Sequence, residues 1–360
     1  MDSGTWLAVS LSTGDECLTL DDTKNYVLSW PSTPKRGFLR VSGGGHVVMV
    51  GGHSIPENRW PKDVPACGVS STNAQPRAVH VQDGPATPPN RVVHVEGLLV
   101  EHQAMSDGGR AESDAFGSGP ESAEKTILQL QNVRVKNLQG SEMGVHADAV
   151  QVHGGFAALR VDRMTIESQY NALYLRNTPR ADCTFALVGP VDLRNVNVTG
   201  IPVQGLRICS GSCIATCSGG ASACACGDGA GNVSCTQANW AAFASTVKGV
   251  SFGRRDTGPC PIGEAGESPT DDVSLTNVWL APYGSMQFGN FVYPDRGHSV
   301  FPVDVTTVAD AGFWPALQSA SPSRGKVTGH VTRGVPPGGD FCASAGCAGL
   351  GYKSPGYQPP

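Results

Sequence analysis

The chain has few charged and few aromatic residues, which make up 16% and 7% of its 360 positions. It has no long apolar stripe with the 3.6-residue period of an amphipathic helix, and this excludes a helical bundle. It also has no apolar run long enough to span a membrane. The net charge of −5 and the absence of a basic cluster predict no nucleic-acid partner. These absences leave an all-β protein as the predicted fold class.

The beginning of the chain, Met1-Asp2-Ser3-Gly4, also lacks the character of a signal peptide. We expect it to be the start of a processed chain, so the missing leader does not argue for the cytoplasm. Cysteine is abundant: the chain has 12, and six of them lie in residues 209–235. Their spacing does not match the paired C-x2-C spacing of zinc sites. We therefore expect disulfides, including one between Cys342 and Cys347, and a secreted, extracellular or periplasmic protein.

An internal repeat is the strongest pattern in the chain. Four segments with alternating apolar and polar residues align with one another, and the first three recur at roughly 31 to 32 residues, a period typical of solenoids. A second, shorter segment with the same alternation follows each of them, which predicts pairs of strands with one buried face. The first segments are 131–135, 162–166, 194–198 and 276–280, and the second segments are 148–152, 171–175, 204–208 and 285–288.

The repeat predicts stacked coils and a single β domain. We expect this domain to cover residues 1–300, with a disulfide-rich loop insertion at about residues 209–260 and a C-terminal capping segment and tail at 301–360. The predicted coils are centred near Val48, Leu98, Val133, Met164, Val196 and Val278.

Three features of the chain belong together: the glycine-flanked strand at residues 47–50, rungs of the form x-Asn-Val-x-Val, and the segment 146–151 (His-Ala-Asp-Ala-Val-Gln) followed by Gly154-Gly155. Over roughly residues 15–300, the chain resembles secreted right-handed parallel β-helix proteins, the superfamily that includes pectate lyases and polygalacturonases. The resemblance implies a right-handed parallel β-helix solenoid. It carries over neither activity, because the Asp-Asp, Arg-Ile-Lys and Arg-x-Pro-x-x-Arg motifs of those enzymes are absent from the corresponding places.

Two carboxylates stand out when the second strands are aligned. Equivalent positions in a parallel β-helix lie one strand spacing apart, about 4.8 Å, so Asp114 and Asp148 should be neighbours, with Asn171 and Gln204 continuing their column. Such close carboxylates predict a raised pKa for one of them unless a cation neutralises both. Three interpretations remain open: the acid and base of a glycoside hydrolase, a Ca²⁺ site, or turn residues that accept backbone N–H groups.

Other polar residues fall near this pair in the alignment. His146 and Tyr170 are candidate proton-transfer residues in a lyase, in which an arginine or a Ca²⁺ ion stabilises the enolate. Arg160 and Arg163 are further candidates for neutralising an acidic sugar, although arginines on a sheet face are commonly only solvated. The candidate substrate-binding residues are Gln151, His153, Asn171, Tyr174, Arg176 and Arg207.

The predicted function is cleavage of a polysaccharide, most simply an acidic one, by β-elimination or hydrolysis. In the hydrolase version Asp114 and Asp148 share the acid and base roles. Ca²⁺ is the cofactor only if the metal interpretation holds. The competing class is non-catalytic: an adhesin, a fibre or a structural glycan-binding protein, in which the polar rows serve recognition alone.

Overall fold

The computed structural model describes residues 6–56, 77–103, 113–118, 123–138, 147–152, 154–168, 172–175, 189–201, 250–252, 273–281, 327–328, 331–343 and 346–355. Throughout these ranges the regular structure is β-strand, which confirms the all-β prediction. The strands form two sheets in which all neighbouring strands are parallel. None of the residues in these ranges forms a helix that could cross a membrane.

The first sheet contains 13 strands, and its longest path runs in the order β1-β3-β6-β9-β12-β14-β16-β18-β19. These strands are β1 (Trp6–Ser10), β3 (Asn25–Ser29), β4 (Lys35–Arg36), β6 (Val47–Val50), β7 (His53–Ile55), β9 (Arg91–Glu96), β10 (Leu99–Glu101), β12 (Thr126–Leu138), β14 (Ala158–Ser168), β16 (Val191–Gly200), β18 (Val273–Ala281), β19 (Val327–Thr328) and β20 (Val331–Arg333).

The second sheet contains seven strands in the order β17-β15-β13-β11-β8-β5-β2. These are β2 (Glu16–Leu20), β5 (Leu39–Gly43), β8 (Arg77–Gln82), β11 (Asp114–Ser118), β13 (Val150–Val152), β15 (Leu173–Leu175) and β17 (Val250–Phe252). Between β1 and β18, the chain returns to the second sheet after each visit to the first. Consecutive visits therefore add neighbouring strands to both sheets.

The core lies on the inward faces of both sheets. In β12, Leu128 and Leu130 are buried, whereas Gln129 and Gln131 between them are partly exposed. This alternation has the two-residue period of a half-buried strand. The second sheet contributes a fully buried row of Val79, Phe116, Val150 and Leu173.

Six rungs of the first sheet have a residue with positive φ at one equivalent position, which we call the corner. The strand register places these residues side by side, because Gln131 pairs with Asp162 and Arg194 with Thr276. Left-handed backbone is accessible to glycine and comparatively tolerable for asparagine. The corner residues are Gly51, Gly97, Asn132, Arg163, Asn195 and Asn277, with φ between 52° and 71°.

Side chains at this corner also bond to one another. Asn195 Nδ2 donates to Asp162 Oδ1 at 2.9 Å, and Asn277 Nδ2 donates to Asn195 Oδ1 at 2.8 Å. The asparagines therefore serve twice, since they adopt the left-handed conformation and link neighbouring rungs.

The register confirms most of the predicted coil alignment and corrects one coil. Val133 pairs with Met164, Met164 with Val196, and Val196 with Val278, as predicted. Leu99 pairs with Arg134, which agrees with a coil centred at Leu98. The placement of Val48 in the same column was wrong, because Val48 pairs with His94. Strand β6 is apolar at all four positions, so a two-residue period could not fix its register.

The C-terminal segment packs across the first sheet. Cys342 and Cys347 form the predicted disulfide. Phe341 N donates to Asn197 Oδ1 at 3.2 Å, and Tyr352 Oη donates to Glu96 Oε1 at 2.5 Å. These contacts join the segment to strands that are several rungs apart. Most of the predicted insertion at 209–260 lies outside the described residues, apart from β17.

The left-handed backbone at the corner predicts that substitutions of Asn195 lower the stability of the fold. Asn195→Val places a β-branched residue in left-handed backbone and removes both side-chain bonds, so we expect a loss of about 1–2 kcal/mol or more in the free energy of unfolding. Asn195→Gly keeps the conformation accessible and should lose less. Urea unfolding measures both, with Thr199→Val on the same strand as the control. Equal losses for the Gly and Val variants would contradict a conformational role.

Candidate functional site

Asp114 and Asp148 lie on adjacent rungs of the second sheet, as the alignment predicts. Phe116 pairs with Val150, so the positions two residues earlier are neighbours. The Asp148 backbone N–H donates to Asp114 Oδ1 at 2.9 Å, and the Ala115 N–H donates to the Asp148 carbonyl at 2.9 Å. One side chain of the pair is thus tied to the backbone of the next rung.

Arg77 joins this pair from the other side. It begins β8, and its Cα position pairs with Asp114 in the strand register. Arg77 Nε donates to Asp114 Oδ2 at 2.9 Å, and its Nη2 donates to Gln151 Oε1. Gln151 Nε2 in turn donates to Asp148 Oδ2 at 3.0 Å. The guanidinium group therefore links three consecutive strands, and we call Arg77, His80, Asp114, Asp148 and Gln151 the buried polar cluster.

A glycine makes room for this arrangement. Position 117 lies between His80 and Gln151 in an outward row, and a Cβ atom there would lie 2.8 Å from Arg77 Nε. A side chain at Gly117 would therefore collide with the Gln151 carbonyl oxygen, 2.5 Å from that Cβ position, as well as with the guanidinium group.

His80 completes the cluster as a neutral acceptor. Arg77 Nη1 lies 3.2 Å from His80 Nδ1, and because arginine can only donate, the imidazole nitrogen accepts. Burial lowers the pKa of His80 well below its usual value, and the charges of Arg77 and Arg40 lower it further. A proton on His80 would face these cations without access to water.

The cluster is inaccessible to solvent. The exposed fraction is 0% for Asp114 and Asp148, 1% for Gln151 and 2% for Arg77. Burial raises the pKa of Asp114 to about 6, while Arg77 and the Asp148 N–H act in the opposite direction. The predicted raised pKa is present, but its main cause is desolvation rather than a neighbouring carboxylate.

These contacts bear on the interpretations of Asp114. Both of its oxygens are occupied, one by a backbone N–H and one by a guanidinium group, as in the turn interpretation. The residues do not fit a Ca²⁺ site, because Arg77 already supplies the cation at this carboxylate. No group of three or more His, Cys, Asp or Glu residues within the described ranges could hold a metal ion. The placement of Gln151 on an accessible face is also corrected, since its side chain is buried.

The remaining predicted site residues are placed only in part. Tyr174 lies in β15, where it pairs with Gln151 on one side and Ser251 on the other. Leu173 pairs with Val250 on this side, and Arg207, predicted beside Tyr174, lies outside the described residues. The residues that lie outside the described ranges are His146, His153, Tyr170, Asn171, Arg176, Gln204 and Arg207.

Arg77 and His80 were missed by the sequence interpretation, which gave no strand to residues 77–82. A signal was present. The segment Arg77-Ala78-Val79-His80-Val81 has the same pattern as Asp148-Ala149-Val150-Gln151-Val152, with alanine and valine at matching positions. Aligning these two segments would have placed Arg77 in the aspartate column.

His102 contacts Ser113, the residue that leads into the buried polar cluster. Its side chain is buried, and its Nε2 lies 2.8 Å from the Ser113 carbonyl oxygen and 3.1 Å from Ser113 Oγ. Burial lowers the pKa of His102 to about 4, although the contact with Ser113 acts in the opposite direction. His102 is therefore neutral at pH 7 and sits beside the residue that precedes Asp114.

An accessible polar surface lies elsewhere, on the outward face of the first sheet. It consists of two rows in which side chains from β12, β14 and β16 are neighbours: Gln129, Arg160 and Asp192 in one row, and Gln131, Asp162 and Arg194 in the other. We call these six residues the outer ladder. All of them are partly or fully exposed, whereas the intervening residues face the core.

Comparison with known proteins gives no relative: no family model, curated protein or solved structure matches this chain.

The ion pair in the buried polar cluster predicts a pH-dependent penalty for Asp114→Asn. At pH 7.5 the substitution leaves Arg77 buried without its counter-ion, and we expect a loss of about 3–5 kcal/mol in the free energy of unfolding. At pH 5 the folded wild type holds a proton on this carboxyl, whose pKa is about 6, whereas the same carboxyl in the unfolded chain is still mostly ionised. Proton uptake therefore stabilises the wild type as the pH falls. Asparagine cannot take up the proton, so the loss should be larger at pH 5 than at pH 7.5, by about 1 kcal/mol.

Urea unfolding of the Asp114→Asn variant at both pH values measures this difference. Arg77→Met should also be destabilising, and the double variant should lose less than the sum of the two. Asp192→Asn is a matched control on the outer ladder, with an expected change of about 0.5 kcal/mol or less. Equal losses for Asp114→Asn at pH 7.5 and pH 5 would contradict the raised pKa.

His102 predicts acid sensitivity. Its pKa is lower in the folded state than in the unfolded chain, so its contribution to stability is present above pH 6.5 and is lost as the pH falls through about 4. This loss is on the order of 3 kcal/mol. His102→Gln retains a donor for the Ser113 carbonyl but cannot take up the proton. The variant's unfolding free energy should therefore fall less than that of the wild type between pH 8 and pH 4, and parallel profiles would disprove this role.

Proposed function

We propose that this chain is an exported, right-handed parallel β-helix protein that binds a polysaccharide without using Asp114 or Asp148 for cleavage. The solenoid is supported by two parallel sheets to which the chain returns in turn, and by corner residues in register over six rungs. Right-handedness is what parallel crossover connections almost always adopt. Export is supported by the disulfide between Cys342 and Cys347, since such bonds persist in oxidising compartments.

The observation that carries the non-catalytic proposal is the burial of the carboxylate pair. A general acid or base must come within hydrogen-bond distance of the substrate, directly or through one water molecule. Asp114 and Asp148 have no exposed surface, and both Asp114 oxygens are already bonded within the cluster. A raised pKa is common among catalytic acids, but structural ion-pair networks produce it as well.

The outer ladder supports binding. Polysaccharides present hydroxyl groups and, when acidic, carboxylates along an extended chain. Amide and guanidinium groups are suitable hydrogen-bonding partners for these groups. In the outer ladder such side chains repeat at the strand spacing, about 4.8 Å, on a sheet face where the neighbouring rungs are parallel.

A polysaccharide panel tests the proposal. The purified protein is incubated with acidic and neutral polysaccharides; binding is measured by calorimetry, reducing ends are assayed, and absorbance at 235 nm is followed for unsaturated products. We expect binding to at least one polysaccharide with no product of either kind. Absence of binding across the panel would overturn the proposed function.

Product formation would support the enzyme hypothesis. One variant then tests whether Asp114 is the catalytic residue. Asp114→Asn is assayed under conditions in which circular dichroism shows that it is folded. If product formation is lost in the folded variant, Asp114 is catalytic and the non-catalytic proposal is wrong. If product formation persists, catalysis lies in other residues, and Asp114 keeps only its structural role.

A further inference from the structure

Two arginines stand at the outer ladder: Arg160 belongs to it, and Arg163 follows the ladder residue Asp162 on the same strand. Arg160 and Arg163, both on β14, are exposed. Neither has a hydrogen bond or ion pair with any residue in the described ranges. The third arginine of this surface differs, because Arg194 Nη2 lies 2.6 Å from Asp192 Oδ2 and its Nε donates to Asp192 Oδ1 at 3.1 Å. Unpaired positive charge is therefore confined to one strand of the ladder.

The neighbouring acids do not neutralise these arginines. Asp192 pairs with Arg160 in the strand register, but both of its oxygens are bonded to Arg194. Asp162 lies next to Arg163 and accepts a hydrogen bond from Asn195 through Oδ1. Among the described residues, the two acids of the outer ladder thus bond to partners other than Arg160 and Arg163.

The backbone conformation of Arg163 is unusual for an arginine. Arg163 occupies the left-handed corner with φ 57°, the position that asparagine takes in three other rungs. An arginine in this conformation is uncommon, because the left-handed region is unfavourable for most residues with a Cβ atom. No hydrogen bond or ion pair within the described part of the fold accounts for arginine rather than asparagine at this place. Among the described residues, its charge acts on Tyr352, where it opposes the rise in pKa that burial causes.

We propose that Arg160 and Arg163 bind carboxylate groups of an acidic polysaccharide that lies along the outer ladder, with Gln129 and Gln131 on the adjacent strand bonding its hydroxyl groups. This rests on the proposed function and adds the surface and the charge of the ligand. Guanidinium groups bind carboxylates through two parallel hydrogen bonds, and such charge-assisted bonds are stronger than neutral ones. The side-chain amides of the glutamines supply both donors and acceptors.

Residues at equivalent positions of neighbouring strands indicate suitable substitutions for Arg160 and Arg163. Arg160→Gln introduces the residue that stands at the paired position in β12, Gln129. Arg163→Asn introduces the residue found at the same corner in Asn132 and Asn195. The double variant should therefore keep its fold, which thermal unfolding checks. The control variant, Lys24→Gln with Lys125→Gln, removes two exposed positive charges away from the outer ladder.

The probes are polygalacturonate and its fully methyl-esterified form, which has the same sugar chain without the charge. We expect the wild type to prefer polygalacturonate, and the double arginine variant to bind it roughly tenfold or more weakly, equivalent to losing about 1.4 kcal/mol or more. The control variant should stay within about twofold of the wild type. Added salt should weaken wild-type binding more than binding by the double arginine variant.

The other outcomes separate the two proposals. Unchanged binding by the double arginine variant, or equal binding of the esterified chain by the wild type, overturns the arginine surface and leaves the proposed function standing. Equal binding of single-stranded DNA would show a general polyanion site and overturn the inference as well. Failure of the wild type to bind any acidic or neutral polysaccharide overturns the proposed function and this inference with it.

Discussion

In-register parallel pairing is the constraint on which the rest of this structure depends. Each rung places its residues directly beside the equivalent residues of the next rung. A residue type that recurs at the same position of the repeat therefore forms a row, whose members lie one strand spacing apart. Apolar rows such as Phe116, Val150 and Leu173 follow directly from this repetition. Repetition is less simple for charged residues, because a row of like charges in the interior is unstable.

The buried polar cluster resolves that conflict by combining different residues in one column. Arg77 stands beside Asp114, so the charges attract, and Gln151 links the guanidinium group to Asp148. A buried ion pair is weak evidence for stability, since desolvation offsets much of its attraction. Its stronger consequence is specificity: a one-residue slip of β11 would separate Arg77 from Asp114 and move Phe116 out of the core. The cluster therefore favours one register in the second sheet.

Much of this architecture could be predicted from the sequence, and the failures have physical causes. The long strands alternate clearly, so their mutual register was predictable from Val133 to Val278. Strand β6 has no polar positions, and its register was therefore not encoded in the pattern. The burial of Asp114 agrees with the alternation, because Asp114 lies two residues before the core residue Phe116. The partner of Asp114, Arg77, was missed because the sequence interpretation assigned no strand to residues 77–82.

Burial also determines where a ligand could act. A polar residue whose bonds are complete inside the fold has little left to offer a ligand, whereas an exposed charge without a partner is stabilised only by water. Asp114 belongs to the first kind, and Arg160 and Arg163 belong to the second. The variety of polar residues around Asp114 first suggested chemistry there, but completed bonding is a reason to look elsewhere. Within the described structure, the outer face of β14 presents two such exposed charges.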